Sequence, residues 1–353
     1  MDSNGPLPLR GPLPPTRGCE NANSVHQPYL LMWIFFYYKE IKSAMLLTQL
    51  IKRGVEAISA LYPEGEAKEM VYAFLEHHIG TKRHTHIIEP AYEVPEEKAL
   101  QAVAAFERMA VGEPMQYVAG RADFYGRQFR VTPDVLIPRP ETELLCREVL
   151  NNRTVDKCYK GPLPLAGDGK MPFPLSCQPV LQILDLCTGS GCIAWTLALE
   201  MPGADVTAVD ISDGALAVAS AQDFSEELSR TSALAPKFIK ADVLAGPSLS
   251  QQYDILVSNP PYVMDKEKAL MRTNVLDHEP HLALFVSDDD PLIFYRAIAQ
   301  WARALLKPDG FCVVEINEAL GAETAQIYID AGFRSVEVIR DLSDRDRFVT
   351  FRR

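Results

Sequence analysis

The sequence predicts an α/β protein, a mostly parallel sheet with a glycine-rich turn, preceded by a small helical domain. Three observations predict it. Val180-Leu-Gln-Ile-Leu-Asp-Leu186 is an apolar run that reaches Gly189-Ser190-Gly191 and continues as the helical stretch Trp195 to Glu200: strand, turn, helix. Later apolar runs end in Asp210, Asp242 and Asn259, and helix alternating with strand is the pattern of a parallel sheet. Between Leu46 and Met109, by contrast, apolar residues recur at helical spacing.

Taken in order, residues 1 to 28 are rich in Pro, Gly, Asn and Ser without apolar periodicity, and such a composition buries too little surface to order itself. Tyr29 to Tyr38 is a ten-residue apolar run, too short to span a bilayer. Its long polar lead, without a small-residue cleavage site, argues against a secretion signal. Residues 1–44 are therefore expected to be disordered or an upstream extension of the reading frame, with Met45 the natural start.

Residues 45–118 read as a helical N-terminal domain. Leu47, Leu50, Ile51, Val55, Ile58 and Leu61 form one stripe, and Leu100, Val103, Phe106 and Met109 another, which marks them as core. Residues 119–137, with Phe124, Phe129 and Val131 about a Tyr-Gly turn, read as a hairpin linker. A larger domain then runs over 138–353. Arg139 with Glu141 and Glu143 reads as a surface ion-pair loop, and Glu141 to Leu150 begins a helix. Residues 151–178 are rich in Pro and Gly and long for a connector, which marks a surface insertion.

Gly189-Ser190-Gly191 sits where a strand ends and a helix begins, the place where backbone N–H groups receive a nucleotide-like cofactor. By itself this pattern is weakly specific. Val206 to Asp210 adds a second strand whose terminal carboxylate lies 19 residues past Gly191, placed to grip a ribose hydroxyl pair. A dinucleotide would use the same pieces. Asp185, just ahead of the turn, repels a pyrophosphate and suits a cationic sulfonium with its amino group, so the charge favours S-adenosyl-L-methionine. The set expected around it is Asp185, Cys187, Thr188, Gly189, Ser190, Gly191, Asp210, Asp242, Val243 and Asn259. Asp242 would accept from the adenine amino group while Val243 packs on the ring. The plainer reading of Asp242 is a loop cap.

Asp254 to Ser258 is an apolar strand that runs into Asn259-Pro260-Pro261-Tyr262. Prolines pin the backbone and donate nothing, so the Asn259 side chain and the Pro260 carbonyl can each accept one N–H of a planar NH2 group. Pro261 and Tyr262 would complete the substrate contacts, with Tyr262 packed on the flat group. An enzyme that methylates an amide or amino nitrogen needs such a grip. Asn-Pro and Pro-Pro are also ordinary turn dipeptides, and it is the glycine turn and carboxylates upstream that set this one apart. Pro291 to Leu306, Gly310 to Ile316, Ala319 to Ala331 and Ser335 to Arg353 then read as helix, strand, helix and a closing antiparallel hairpin.

The order glycine turn, Asp210, Asp242, Asn259-Pro-Pro-Tyr262 resembles class I S-adenosylmethionine-dependent methyltransferases that act on exocyclic or amide nitrogen. Val135-Leu-Ile-Pro-Arg-Pro-Glu-Thr-Glu143 narrows the likeness: it is similar to the I-P-R-P-[DE]-T-E segment of the PrmC/HemK family, protein-(glutamine-N5) methyltransferases of class 1 peptide chain release factors. Gly112 to Gly120, Phe124-Tyr-Gly126, Glu279-Pro280 and Arg340 to Phe348 extend the resemblance over roughly residues 45 to 353. Cys187 stands where that family usually has glycine, and Val243 where an aromatic residue is commoner.

The resemblance implies a Rossmann-like, mostly parallel seven-stranded sheet. It also implies methyl transfer from S-adenosyl-L-methionine to the glutamine of a release factor's Gly-Gly-Gln motif; a monomer in the cytoplasm is expected. The N-terminal domain would help recognise the factor, and the segment from Ile137 to Glu143 would lie over the cofactor as a structural lid. Adenine or a ribosomal-protein glutamine as target, and a binding module without catalysis, share the same Asn259-Pro-Pro-Tyr262 and stay open at this point.

Composition agrees with an enzyme of this size. Of 353 residues 47% are hydrophobic, which supports a large α/β core and a smaller one. The formal charge of −12 disfavours binding along a phosphate backbone, which needs clustered Lys and Arg, and no separate target-reading domain for DNA is evident. The seven cysteines (Cys19, Cys146, Cys158, Cys177, Cys187, Cys192 and Cys312) form no C-x-x-C pair and none has a His at zinc spacing. No metal is expected, and the setting is a reducing one.

Overall fold

The computed structural model describes residues 45–152 and 180–353. The expectations for residues 1–44, and for all but the first two residues of the 151–178 insertion, lie outside them. Helices α1 (Leu47–Ile58), α2 (Glu64–Ile79) and α3 (Glu96–Ala110) pack into an N-terminal core. Glutamates in the first turns of α2 and α3 follow Pro63 and Pro95 and complement the positive helix ends. Gly54 sets the spacing of α1: a Cβ there would lie 2.8 Å from the Phe106 ring and 2.9 Å from Val71.

Leu47, Leu50, Ile51, Val55 and Ile58 are buried as the periodicity predicts. Leu61 is 48% exposed, and Tyr62 is buried instead. Helix α1 ends at Ile58, so the helical phase that placed Leu61 on the stripe no longer applies to it. The hairpin Arg121–Phe124 with Arg127–Arg130 turns at Tyr125 and Gly126, both left-handed at φ 51° and 73°. It sends Phe124 and Phe129 into the core of the larger unit.

Helix α4 (Thr142–Asn151) leads to a sheet of seven strands: β1 (Gln182–Leu186), β2 (Asp205–Asp210), β3 (Lys237–Lys240), β4 (Tyr253–Ser258), β5 (Leu306–Glu315), β6 (Arg334–Arg340) and β7 (Asp346–Arg352). Their order is β6-β7-β5-β4-β1-β2-β3. All neighbours are parallel except those of β7, which runs antiparallel to both β5 and β6.

Both faces of this sheet are covered, which is why β1 and β4 read as unbroken apolar runs. Helices α4 and α5 (Cys192–Glu200) pack on one face with the hairpin phenylalanines. Helices α7 (Ile293–Leu305) and α8 (Gly321–Asp330) cover the other. Helix α6 (Asp213–Ser220) follows β2. Strand order reverses between β1 and β4, and the crevice beyond their carboxyl ends is where an open α/β sheet receives a ligand. Among the described residues, no helix is long and apolar enough to cross a membrane.

Candidate active site

A cleft opens at that crevice. Its wall takes Cys187, Thr188, Gly189 and Ser190 from the glycine turn, Asp210 from β2, Asp242 and Val243 after β3, and Asn259 and Pro261 after β4. Gly189 and Gly191 are left-handed at φ 54° and 78°, and a Cβ on Gly191 would lie 3.0 Å from Ala219 Cβ and 3.1 Å from Trp195. The turn is held to β2 by the Thr188 N–H donating to the Val209 carbonyl at 3.0 Å. Cys187 is also left-handed, at φ 61°, a conformation that strains any residue with a Cβ by about 1–2 kcal/mol and that glycine adopts freely.

Three carboxylates stand at strand ends, in different roles. Asp210 accepts from the Gly189 N–H at 2.8 Å and the Ser212 N–H at 3.0 Å, so it braces the turn while facing the cleft. Burial raises its pKa. Asp242 caps the short turn Val243–Ala245 by accepting from the Leu244 N–H at 2.8 Å, as its plainer reading holds, and it lines the cleft as well. Trp301 Nε1 donates to the Val243 carbonyl at 3.0 Å, fixing Val243 in the wall. Asp185 lies fully buried beneath the turn and is not among the residues lining the cleft. Its Oδ2 accepts from the Thr188 hydroxyl at 2.6 Å, and Oδ1 closes no hydrogen bond of normal geometry. Its pKa stands raised at about 7: burial raises it most, Asp210 adds to that, and the Thr188 hydroxyl and the Ala194 N–H draw it down.

At the carboxyl end of β4 the side chains form a chain of hydrogen bonds. Asn259 Nδ2 donates to Thr142 Oγ1 at 3.2 Å, Thr142 Oγ1 donates to Glu315 Oε2 at 2.8 Å, and the Tyr262 hydroxyl donates to Glu315 Oε1 at 3.0 Å. Glu315 is 1% exposed, and burial raises its pKa against the hydrogen bonds and the nearby Arg347 that lower it. Burial likewise holds the Tyr262 hydroxyl well above its ordinary range. Asn317 secures the turn from behind, donating through Nδ2 to the Tyr262 carbonyl at 3.1 Å and to Glu267 at 2.9 Å.

Pro138, Arg139 and Thr142 form one rim of the cleft, and Pro280, Leu282 and Ala283 another. Glu279 ties the two together. This buried carboxylate accepts from Arg139 at 2.6 Å and from the Ile137 N–H at 3.2 Å. The ion-pair loop read from Arg139, Glu141 and Glu143 is therefore corrected: the partner of Arg139 is Glu279, 140 residues away, and Glu143 instead accepts from the Tyr125 N–H at 2.8 Å.

Of the residues singled out in the sequence, the fold gathers Cys187, Thr188, Gly189, Ser190, Asp210, Asp242, Val243, Asn259 and Pro261 around the cleft, while Asp185, Gly191, Pro260 and Tyr262 do not line it. Gly191 serves as the cap of α5. Tyr262 is packed against the sheet core, with its hydroxyl on Glu315, in place of the expected stacking on the substrate. Glu315 was missed, and its signal was an acidic residue directly after the apolar run Phe311 to Val314; Glu279 was noted only as part of the resemblance, without a role. The charged residues of the lining are Asp134, Asp210, Asp242 and Arg139, and Arg139 is already neutralised by Glu279. Such a wall repels phosphate and suits a cation. Burial pushes the Cys187 thiol well above its usual range, which keeps it from acting as a thiolate. Among the described residues no group of His, Cys, Asp and Glu could hold a metal.

Residues 175–282 match the family model described as Methyltransferase small domain, and residues 49–120 match the PrmC N-terminal domain. The release factor glutamine methyltransferase of Flavobacterium psychrophilum is 35% identical over 305 residues, 86% of this chain and 98% of that protein. The protein of the same description from Bacteroides thetaiotaomicron is 42% identical over 247 residues, 70% of this chain and 78% of its own. That of Chlorobaculum tepidum is 39% identical over 255 residues, 71% and 78% of the two chains.

Proposed function

This chain belongs to the release factor glutamine methyltransferase family, and on that premise we propose that it methylates the side-chain amide nitrogen, N5, of the glutamine in the Gly-Gly-Gln motif of class 1 peptide chain release factors. S-adenosyl-L-methionine is the methyl donor; when bound, it supplies a methyl group made electrophilic by the sulfonium. The anionic wall fits this cation. Asp210 would take the ribose hydroxyls, Asp242 with Val243 the adenine, and the turn from Cys187 to Gly191 the methionine moiety. The enzyme acts as a monomer in the cytoplasm, where its substrate is.

A glutamine amide is a poor nucleophile because its nitrogen lone pair is delocalised into the carbonyl. Asn259 Oδ1, in the cleft wall, accepts one of its N–H groups, which draws charge onto the nitrogen and fixes its direction of approach; the Pro260 carbonyl, expected from the sequence to take the other, belongs to a residue outside the cleft lining. Positioning of this kind can lower a barrier by several kcal/mol. The amide proton is acidic only once the nitrogen becomes cationic, so no dedicated base is needed. The observation that carries this reading is the Asn259 side chain, whose NH2 end is occupied by Thr142, leaving the oxygen end to accept.

The test is incubation with labelled S-adenosylmethionine and, separately, a release factor bearing Gly-Gly-Gln, its Gln-to-Ala variant, and duplex DNA. Label on the intact factor alone is the expected result. Label on DNA, or on the Gln-to-Ala variant, would overturn the reading.

A further inference from the structure

Asn259 faces a problem that its own chemistry does not solve. A carboxamide has two ends of nearly equal shape, one accepting and one donating, and only the accepting end can hold a substrate N–H. Rotation by half a turn about its last bond would present an NH2 to an NH2. Neither proline beside it chooses between these states, because Pro has no N–H to donate.

The choice is made two residues away. Glu315 is a carboxylate that the proposed reaction does not use, and both its oxygens accept, from Thr142 at 2.8 Å and from Tyr262 at 3.0 Å. A carboxylate has no proton to give. The Thr142 hydroxyl must therefore spend its single proton on Glu315, and what remains on Thr142 is lone pairs. Only the NH2 end of Asn259 can meet them, as it does at 3.2 Å. The sheet supplies the placement: Val314 of β5 pairs with Ser258 of β4, so Glu315 and Asn259 each lie one residue beyond that pair.

We propose that Glu315 is a positioning residue which, through Thr142, fixes the polarity of the Asn259 amide with Oδ1 toward the substrate. It never touches the substrate. This rests on the reading of Asn259 as an acceptor for a glutamine amide. Glu315→Gln lifts the constraint: its amide offers one donor and one acceptor to Thr142 and Tyr262 in place of two acceptors, so the Thr142 hydroxyl is free to turn its proton to Asn259 and Asn259 to turn its own NH2 into the cleft.

The experiment uses the full chain with an intact release factor. Wild type, Glu315→Gln, Thr142→Val, Thr142→Ser, Asn259→Ala and the Asn259→Ala/Glu315→Gln double variant are compared for kcat, for KM of the factor, and for S-adenosylmethionine affinity by calorimetry. Glu315→Gln is expected to lower kcat on the order of a hundredfold, the scale of losing one group aimed at the reacting centre, with cofactor affinity unchanged. Thr142→Val should lose a similar factor, and Thr142→Ser, which keeps the hydroxyl, should regain most of it. In the Asn259→Ala background Glu315→Gln should cost nothing further, because a residue acting only through Asn259 is fully coupled to it. Wild-type turnover in both Glu315→Gln and Thr142→Val would overturn the proposal, and so would losses that multiply in the double variant. If Glu315→Gln does not fold, the Val and Ser pair decides: equal activity in the two sinks the relay. A wild-type enzyme that leaves the factor unlabelled would instead overturn the proposed function.

Discussion

Asp185 makes the glycine turn a pH-sensitive part of the fold, and Asp185→Asn exposes the effect. The carboxyl is fully buried, with one oxygen on Thr188 and the other without a normal hydrogen bond. Burial raises its pKa from 3.8 to about 7. Below pH 3.8 folded and unfolded chains both hold the proton, and ionisation costs the fold nothing. Between 3.8 and about 7 the unfolded chain releases the proton while the folded chain keeps it, so stability falls as pH rises. At about 1.36 kcal/mol per pH unit the loss is complete above pH 7 at about 4 kcal/mol. Asp185→Asn retains an acceptor for Thr188 and carries no charge, so it escapes that loss. The variant should therefore unfold at clearly higher urea than wild type at pH 8, by about 2–4 kcal/mol, and the two should converge within about 1 kcal/mol at pH 4.5. Urea midpoints read by tryptophan fluorescence at the two pH values measure the difference, with m compared to verify that the same surface unfolds. A gap of the same size at both would refute the reasoning.

Glu279→Ala should untie the cleft rims, leaving Arg139 without its partner and the Ile137 N–H without an acceptor. A loss of about 1–3 kcal/mol follows for the Ile137 N–H left without an acceptor, since the partly exposed Arg139 can turn to water, with a cofactor dissociation constant about tenfold higher; Glu279→Gln, which keeps the acceptor for Ile137, should fall between, and calorimetry distinguishes the three. Gly191→Ala puts a Cβ 3.0 Å from Ala219 at φ 78°; strain of about 1–3 kcal/mol on the cofactor turn should weaken S-adenosylmethionine binding well before it unfolds the chain, seen as lost affinity with a small drop in Tm. Trp301→Phe removes one of two donors to the Val243 carbonyl, which keeps the Gly246 N–H at 3.3 Å, and should cost about 0.5–1.5 kcal/mol for the lost hydrogen bond, with adenosine affinity as the second readout.

Much of the fold was legible because its strands are buried on both faces. Gln182–Leu186 and Tyr253–Ser258 read as apolar runs, and the polar residue that ends each run marks where the chain reaches the crevice. Periodicity failed where an element stopped: Leu61 lies in the turn after α1, and a stripe carried past a helix end points nowhere. It also could not show that Asp185 lies buried under the turn, outside the cleft lining. In a strand buried on both faces, alternation no longer separates ligand side from core side.

The Asn259 site was half legible for a related reason. Asn259-Pro-Pro-Tyr262 is local, so its prolines and its place after a strand give its geometry directly. What orients Asn259 is not local: Thr142 lies 117 residues before it, and Glu315 lies 53 residues after Tyr262, the other residue it binds. Strand β5 brings Glu315 there by lying beside β4, an adjacency set by sheet order and absent from any window of sequence. Yet Phe311-Cys-Val-Val-Glu315-Ile316 carries a charge near the end of an apolar run, and an ionised group is buried at such a place only when hydrogen bonds meet it. Two hydroxyls do so here. Their protons are thereby committed to the carboxylate, and it is this commitment, more than the identity of Asn259, that makes its oxygen the end available to a substrate amide.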